Sequence, residues 1–173
     1  MKRRVFIFTA FGAAAGLTFG RGAGAQPFEV MRSEAAWRAM LTPLQYRVMR
    51  QEGTEPAGSS PLDKLYEAGM YHCRGCDLAV YSSEHKYDSG TGWPSFYQAQ
   101  TKAIETKTDY KLIYPRTECH CRRCGSHFGH IFNDGPKPTG KRHCLNGVSL
   151  VFKPAERGPP CGPRHLKLRL TLI

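Results

Sequence analysis

The sequence predicts a mainly β fold: curved antiparallel sheets, short helices near the N-terminus, and four cysteines arranged as two knuckles. Three observations carry that prediction. From Gly69 onward, short apolar or alternating runs (Met70–His72, Leu78–Tyr81, Tyr110–Tyr114, Glu118–His120, His130–Phe132 and Cys144–Phe152) are separated by Gly, Pro, Asp and Asn, the pattern of short strands joined by turns. Before them, Ser33 to Gln51 repeats apolar residues (Trp37, Met40, Leu41, Leu44, Val48) at spacings of three and four, which is a helical period. Third, Cys73-Arg74-Gly75-Cys76 and Cys121-Arg122-Arg123-Cys124 are two Cys-x-x-Cys pairs, each following a strand-like run.

Within the helical stretch Ser33 is a plausible N-cap, and Pro43 breaks the pattern into two short helices. Glu52 to Pro61 is rich in Gly, Ser and Pro and reads as loop, as does Asn133 to Gly140. After Pro154 the chain is irregular, with Cys161 among Gly and Pro; the final Leu166–Ile173 alternates like a strand without an evident partner.

The chain has 173 residues, which favours one domain large enough to bury a core without disulfides. Its net charge is +11. Residues 1–25 carry Lys2, Arg3, Arg4 and Arg21 and no acid, so removing those four charges leaves +7. No run of Lys or Arg in the remainder exceeds two. A nucleic-acid binder would show a clustered basic stripe, so no nucleic-acid partner is expected. The N-terminus reads as an export signal: Lys2-Arg3-Arg4, an apolar stretch Val5 to Phe19, and Ala23-Gly24-Ala25 as a small-x-small cleavage pattern before Gln26. Arg3-Arg4-Val5-Phe6-Ile7 also resembles a twin-arginine signal, with an ordinary Sec signal or an uncleaved anchor as alternatives. The expected organisation is a signal peptide over 1–25, a catalytic domain over 26–155 and an irregular tail over 156–173. The expected product is an exported, periplasmic monomer with no stable membrane association after cleavage.

Two thiolates on one tight turn can face a single ion, and two such turns complete a tetrahedral shell. The pairs have 44 residues between them. Cys73, Cys76, Cys121 and Cys124 are therefore assigned to one structural zinc ion in a zinc-ribbon-like site. Four thiolates leave no open position, so this metal is not the catalytic agent. Two disulfides are the rival, which an oxidising compartment permits.

Cys119, Cys144 and Cys161 remain. If the segment around Cys144 is extended, Arg142, Cys144 and Asn146 share one face, with His143 and Leu145 on the other. An ordinary cysteine is only about 3% thiolate at pH 7, and a neighbouring arginine favours the thiolate. An inert buried cysteine in a strand fits the local sequence equally well. His127 and His130, followed by Asp134, supply groups for proton transfer near neutral pH. In Asp88-Ser89-Gly90-Thr91-Gly92-Trp93 the tryptophan either walls a small apolar pocket or is a core residue on a turn.

Together these segments resemble the MsrB family of methionine-R-sulfoxide reductases. The resemblance is carried, in order, by Cys73-Arg-Gly-Cys76, Tyr87-Asp-Ser-Gly-Thr-Gly-Trp-Pro-Ser-Phe96, Thr117-Glu118, Cys121-x-x-Cys124, His127-Phe-Gly-His130, Asp134-Gly-Pro136, Pro138-Thr-Gly140 and Arg142-His-Cys-Leu-Asn146, with Tyr46-Arg47 and Glu52-Gly-Thr-Glu55 upstream. It implies that Cys144 attacks the sulfoxide sulfur, that His127 or His130 protonates the leaving oxygen, and that Cys144 is left as a reversible sulfenic acid. It implies Trp93 as the wall for the substrate methyl group, and His127, His130, Asp134, Arg142 and Asn146 as the polar network. The zinc would sit away from the chemistry and hold the sheet together. The implied partners are oxidised methionine residues in proteins and a thioredoxin-like or other thiol reductant.

The chain departs from that family at three places. Many members carry a resolving cysteine where this chain has Thr91, so Cys144 must be recharged by an external thiol, by Cys161 or by Cys119. His143 stands where an aromatic is usual, and Gly147 where a serine is common. Two other readings are a non-catalytic zinc ribbon that binds a protein or nucleic acid, and a cysteine hydrolase pairing Cys144 with a histidine.

Overall fold

The structure is a computed structural model and describes residues 28–156. The export segment 1–25 and the tail from 157, with Cys161 and the stretch 166–173, lie outside the described residues. No helix among the described residues is long and apolar enough to cross a membrane.

Two short helices open the described chain, α1 (Glu34–Met40) and α2 (Pro43–Gln51). Ser33 caps the first, its hydroxyl accepting from the Ala36 amide at 3.2 Å. Thr42 caps the second in a reciprocal box with Gln45, and Pro43 takes the first helical turn, where its missing N–H costs nothing. The expected break at Pro43 is thus a restart, two residues after Leu41 closes α1. Helix α2 buries Val48 and Met49 toward the larger of two sheets.

Nine strands follow: β1 (Gly69–Cys73), β2 (Ala79–Ser82), β3 (Lys86–Tyr87), β4 (Ser95–Phe96), β5 (Ile104–Asp109), β6 (Arg116–Cys121), β7 (His127–Phe132), β8 (Arg142–Leu145) and β9 (Leu150–Pro154). They form an antiparallel three-stranded sheet in the order β2-β1-β9 and a six-stranded sheet in the order β3-β4-β8-β7-β6-β5. The fold is mainly β, as predicted. Aromatic residues from both sheets meet in the core: the Tyr81 and Phe96 rings lie 4.7 Å apart, Tyr71 and Phe96 4.9 Å. The rings pack edge-on or tilted, the arrangement that aromatic quadrupoles favour.

Two strand assignments change. The run Tyr110–Tyr114 is the exposed loop between β5 and β6. The strand beside it is the polar Ile104–Asp109, whose six residues all pair with β6; as an edge strand it needs no apolar face of its own. The single run Cys144–Phe152 is two strands in different sheets, because a 3-10 turn at Gly147–Ser149 redirects the chain.

One irregularity decides where the histidines point. Glu118 pairs with His130 but His120 pairs with His127, so two residues of β6 oppose three of β7. Strict alternation would put His127 and His130 on opposite faces. The bulge turns both to one face.

Candidate active site

Cys144 lies on β8, flanked in register by His130 of β7 and Ser95 of β4. Directly opposed residues share a face. The neighbouring residues Phe96 and His143 therefore point into the core, and Cys144 points out of it. A cleft of about 160 Å³ opens there, lined by Thr54, Trp93, Arg116, His130, Phe132, Cys144 and Asn146. A wider depression of about 740 Å³ lies along β5 and β6, lined by Glu52, Glu105, Lys107 and His120; no cysteine lines it.

Two carboxylates hold the histidines of the active face. His130 Nε2 is 2.8 Å from Asp109 Oδ2. Asp109 also accepts from the Lys111 amide at 2.8 Å and from Arg116 at 2.6 Å, and these donors keep its carboxyl well below the usual range. His127 Nδ1 is 2.6 Å from Glu118 Oε1, and the other carboxylate oxygen faces His120 Nδ1 at 2.8 Å. Burial pushes the Glu118 carboxyl up, but the bonds from His120 and His127 outweigh it and hold it at about 2. His127 does not line the cleft. It is buried, and its Nε2 has no protein partner. His130 lies 5.5 Å from it, ring to ring, and faces Cys144 directly.

Arg142 shares the Cys144 face as expected, yet it does not make a resting thiolate. Its guanidinium is held in a bidentate pair by Asp134, at 2.9 and 2.8 Å. Burial pushes the Cys144 thiol above its ordinary value, and Thr91, Arg142 and Ser95 offset this only in part. Burial likewise moves His130 below its ordinary value, against the pull of Asp109. Both shifts favour the neutral forms, a thiol opposite an imidazole.

Asn146 lines the cleft, and its amide bonds through both its oxygen and its nitrogen. It donates to the Phe128 carbonyl at 2.9 Å and accepts from the Glu55 amide at 2.8 Å. The buried Glu55 carboxylate in turn accepts from the Gly147 and Val148 amides at 2.5 and 3.0 Å. The Glu55 carbonyl takes the Trp93 indole N–H at 3.1 Å, which fixes the tryptophan as a cleft wall. Gly129 lets β7 approach β8 closely, since a Cβ there would meet the Cys144 carbonyl oxygen at 2.0 Å. Asp109 and the linking role of Glu55 were missed from sequence; Glu118 appeared only inside a motif. Their signal is weak because acids in polar strands and loops are ordinarily solvent-facing.

The departures from the resembled family are accommodated. Thr91 Oγ1 lies 3.8 Å from Cys144 Sγ and joins a hydroxyl chain through Ser89, 2.8 Å away, to Ser95, a further 2.7 Å. His143 packs edge-on against Tyr81 and shares a 3.0 Å hydrogen bond with its hydroxyl; burial lowers its pKa to about 4, so it serves the core as a neutral ring. At Gly147 a Cβ would meet Ser60 Oγ at 1.9 Å, so this backbone has no room for a serine. Cys119 is buried on the core face, paired in register with Gly129. That is the face opposite Cys144.

Cys73, Cys76, Cys121 and Cys124 form one cluster with all four sulfurs within 4.8 Å of one another. Cys73 and Cys124 are 3.6 Å apart, Cys76 and Cys121 3.5 Å. Sulfurs about 2.3 Å from a tetrahedral metal stand about 3.8 Å apart, so the donor set fits such an ion. In both knuckles the residue after the second cysteine returns its amide to the first cysteine's carbonyl, at 2.8 Å from Asp77 and from Gly125, each with φ near +65°. The left-handed turn is thus filled by glycine in one knuckle and by aspartate in the other.

The SelR domain model matches residues 41–154. Over 130 residues the chain is 49% identical to the peptide methionine sulfoxide reductase MsrB of Methanosarcina barkeri, covering 75% of this chain and 92% of that one. The MsrB of Leptospira interrogans is 46% identical, with 73% and 97% covered. The mitochondrial methionine-R-sulfoxide reductase B2 of Rattus norvegicus is 48% identical, with 72% and 76% covered.

Proposed function

This chain belongs to the SelR-domain (MsrB) family of methionine-R-sulfoxide reductases, and on that premise we propose that Cys144 is its nucleophile and His130 its proton carrier. The observation that carries the assignment is the register pairing of Cys144 with His130 across a cleft walled by Trp93. The substrate methyl group rests against Trp93, with the sulfoxide sulfur over Cys144. The Cys144 proton passes to His130 as the thiolate attacks, and His130 hands it to the sulfoxide oxygen. As Cys144 Sγ bonds to the sulfoxide sulfur, the S–O bond breaks with its electrons to the protonated oxygen, which leaves as hydroxide. Hydroxide then attacks Cys144 Sγ, the S–S bond breaks with both electrons to the methionine sulfur, and Cys144 is left as sulfenic acid. Asp109 orients the His130 ring. Glu118 fixes the His127 tautomer behind it. Arg142, steadied by Asp134, faces the sulfur, while Asn146 holds the Glu55 segment that positions Trp93. Membership in a reductase family replaces the two rival readings, a partner-binding ribbon and a cysteine hydrolase.

Recharging falls to an external thiol, thioredoxin-like or small, with Cys161, outside the described residues, as the alternative within the chain. One thiol condenses with the sulfenic acid and releases water, and a second reduces the mixed disulfide. Thr91 has no sulfur to do this, and Cys119 faces the core. The four-cysteine cluster holds one zinc ion, a structural tie between the sheets. The leader-like residues 1–25 support export, and hence repair of oxidised exported proteins by a monomeric enzyme. The function is tested on separated epimers of N-acetylmethionine sulfoxide with dithiothreitol: the R epimer is expected to be consumed and the S epimer untouched. Consumption of S, or of neither, overturns the reading.

The neutral resting pair makes a second expectation. Alkylation of Cys144 by iodoacetamide should be slow at pH 7 and rise only above the ordinary cysteine pKa of about 8.5, because burial disfavours the thiolate. A rate already at its plateau at pH 7 would mean a preformed thiolate and contradict the proton route from Cys144 to His130.

A further inference from the structure

We propose that the loop spanning residues 110–115 is a docking lip for the polypeptide carrying the oxidised methionine, and that it takes an unfolded segment with apolar residues flanking the sulfoxide. This rests on Cys144 as the reductase centre. Among the described residues the large exposed hydrophobics include Tyr110, Leu112, Ile113 and Tyr114, all within five positions; Met31, Met40 and Tyr66 are scattered elsewhere. Singly exposed apolar residues are ordinary, whereas a contiguous group marks a contact surface. Ile113 is 105% exposed and Tyr110 76%, so these side chains contribute almost nothing to the core. A hairpin connection needs only Gly, Asn, Asp or Ser.

The loop begins and ends on the active site. Asp109 closes β5 and holds His130 at 2.8 Å; Arg116 opens β6, lines the cleft and binds Asp109 at 2.6 Å. The Lys111 amide bonds Asp109 at 2.8 Å and its ammonium pairs with Glu52 at 2.6 Å. The charge in the loop is thereby tied down at its base, leaving the apolar side chains at the tip. Arg116, at the loop's end, lines the cleft with Trp93 and Cys144, so the loop adjoins the place where a methionine sulfoxide would lie. Methionine in folded proteins sits among other apolar side chains, and its sulfoxide is polar enough to disrupt that packing. The oxidised, opened segment accordingly presents apolar flanks, which the lip removes from water.

The test is the triple variant Leu112→Ser, Ile113→Ser, Tyr114→Ser. Each site is exposed, so the fold should persist. Turnover is measured on free methionine-R-sulfoxide and on an oxidised, urea-unfolded protein diluted into the assay. Free-substrate kcat/KM is expected to stay within about twofold, and protein-substrate kcat/KM to fall about tenfold through KM, the scale of burying one apolar side chain. An equal fall on both substrates, or none on either, overturns the proposal. So does loss of self-association or of binding to phosphatidylglycerol vesicles with peptide kinetics unchanged, which would assign the loop to a second copy or to lipid. Failure of the wild type on the free substrate strikes the reductase reading itself, an outcome separate from failure of the lip.

Discussion

Cys144→Ser is expected to abolish reduction of methionine-R-sulfoxide, with a loss on the order of 10⁴-fold or more, the scale seen when a covalent nucleophile is removed. The chemistry leaves no bypass. The oxygen must end on the nucleophile's own sulfur, and a serine hydroxyl cannot be oxidised to a sulfenic acid and reduced back. The fold should hardly notice, because Cys144 is only half-buried and serine is close to it in shape. A circular dichroism melt and a metal assay should match the wild type. Under the same conditions Cys119→Ala should keep turnover with dithiothreitol and with a thioredoxin-like protein, because Cys119 lies on the core face of the sheet. Activity surviving in Cys144→Ser would remove the nucleophile assignment; loss in Cys119→Ala without loss of fold would make Cys119 the resolver.

That pair of mutants also marks how far the sequence could be read. Both knuckles and the helix restart at Pro43 were legible because each is a local pattern: a Cys-x-x-Cys turn and a capped helix. Cys144 was singled out only through the family resemblance, since an inert strand cysteine fits its local sequence equally well. The facing of His127 and His130 was not, since their common direction depends on a bulge that only pairing with β6 reveals. Asp109 was invisible for the same reason. It sits in a polar strand and acquires its role from a histidine twenty-one residues away. The apolar run at Tyr110–Tyr114 misled in the opposite sense, because alternation and apolar content suggest a strand wherever they occur. Its exposure is a tertiary fact. Where local pattern and observed burial disagree, a functional reason is the first to test, and here the disagreement borders the cleft.

Removing the metal is expected to have the largest effect on the fold. Stripping zinc with dipicolinate, or replacing Cys76 by serine, should abolish cooperative melting above room temperature. Two contributions oppose each other. Without metal the aromatic core joining the sheets at Tyr71, Tyr81, Phe96 and Phe128 stays apolar and packed, and three of the four thiols are buried and act as small hydrophobes. Against this, a structural four-cysteine site contributes about 10–16 kcal/mol at neutral pH, while a whole domain is stable by only about 5–15 kcal/mol. The metal term is therefore as large as the net stability, and the core alone cannot cover its loss. Position strengthens the argument. Cys73 ends β1 of the small sheet and Cys121 ends β6 of the large one, so a bound ion would tie the two sheets where the described contacts include packing and a 3.3 Å bond from Arg123 to the Cys76 carbonyl. The check is a thermal melt run beside a colorimetric zinc count: one ion per chain should be released as the cooperative transition disappears. A metal-free chain that keeps both its melt and its activity would show that the four thiols are only core residues.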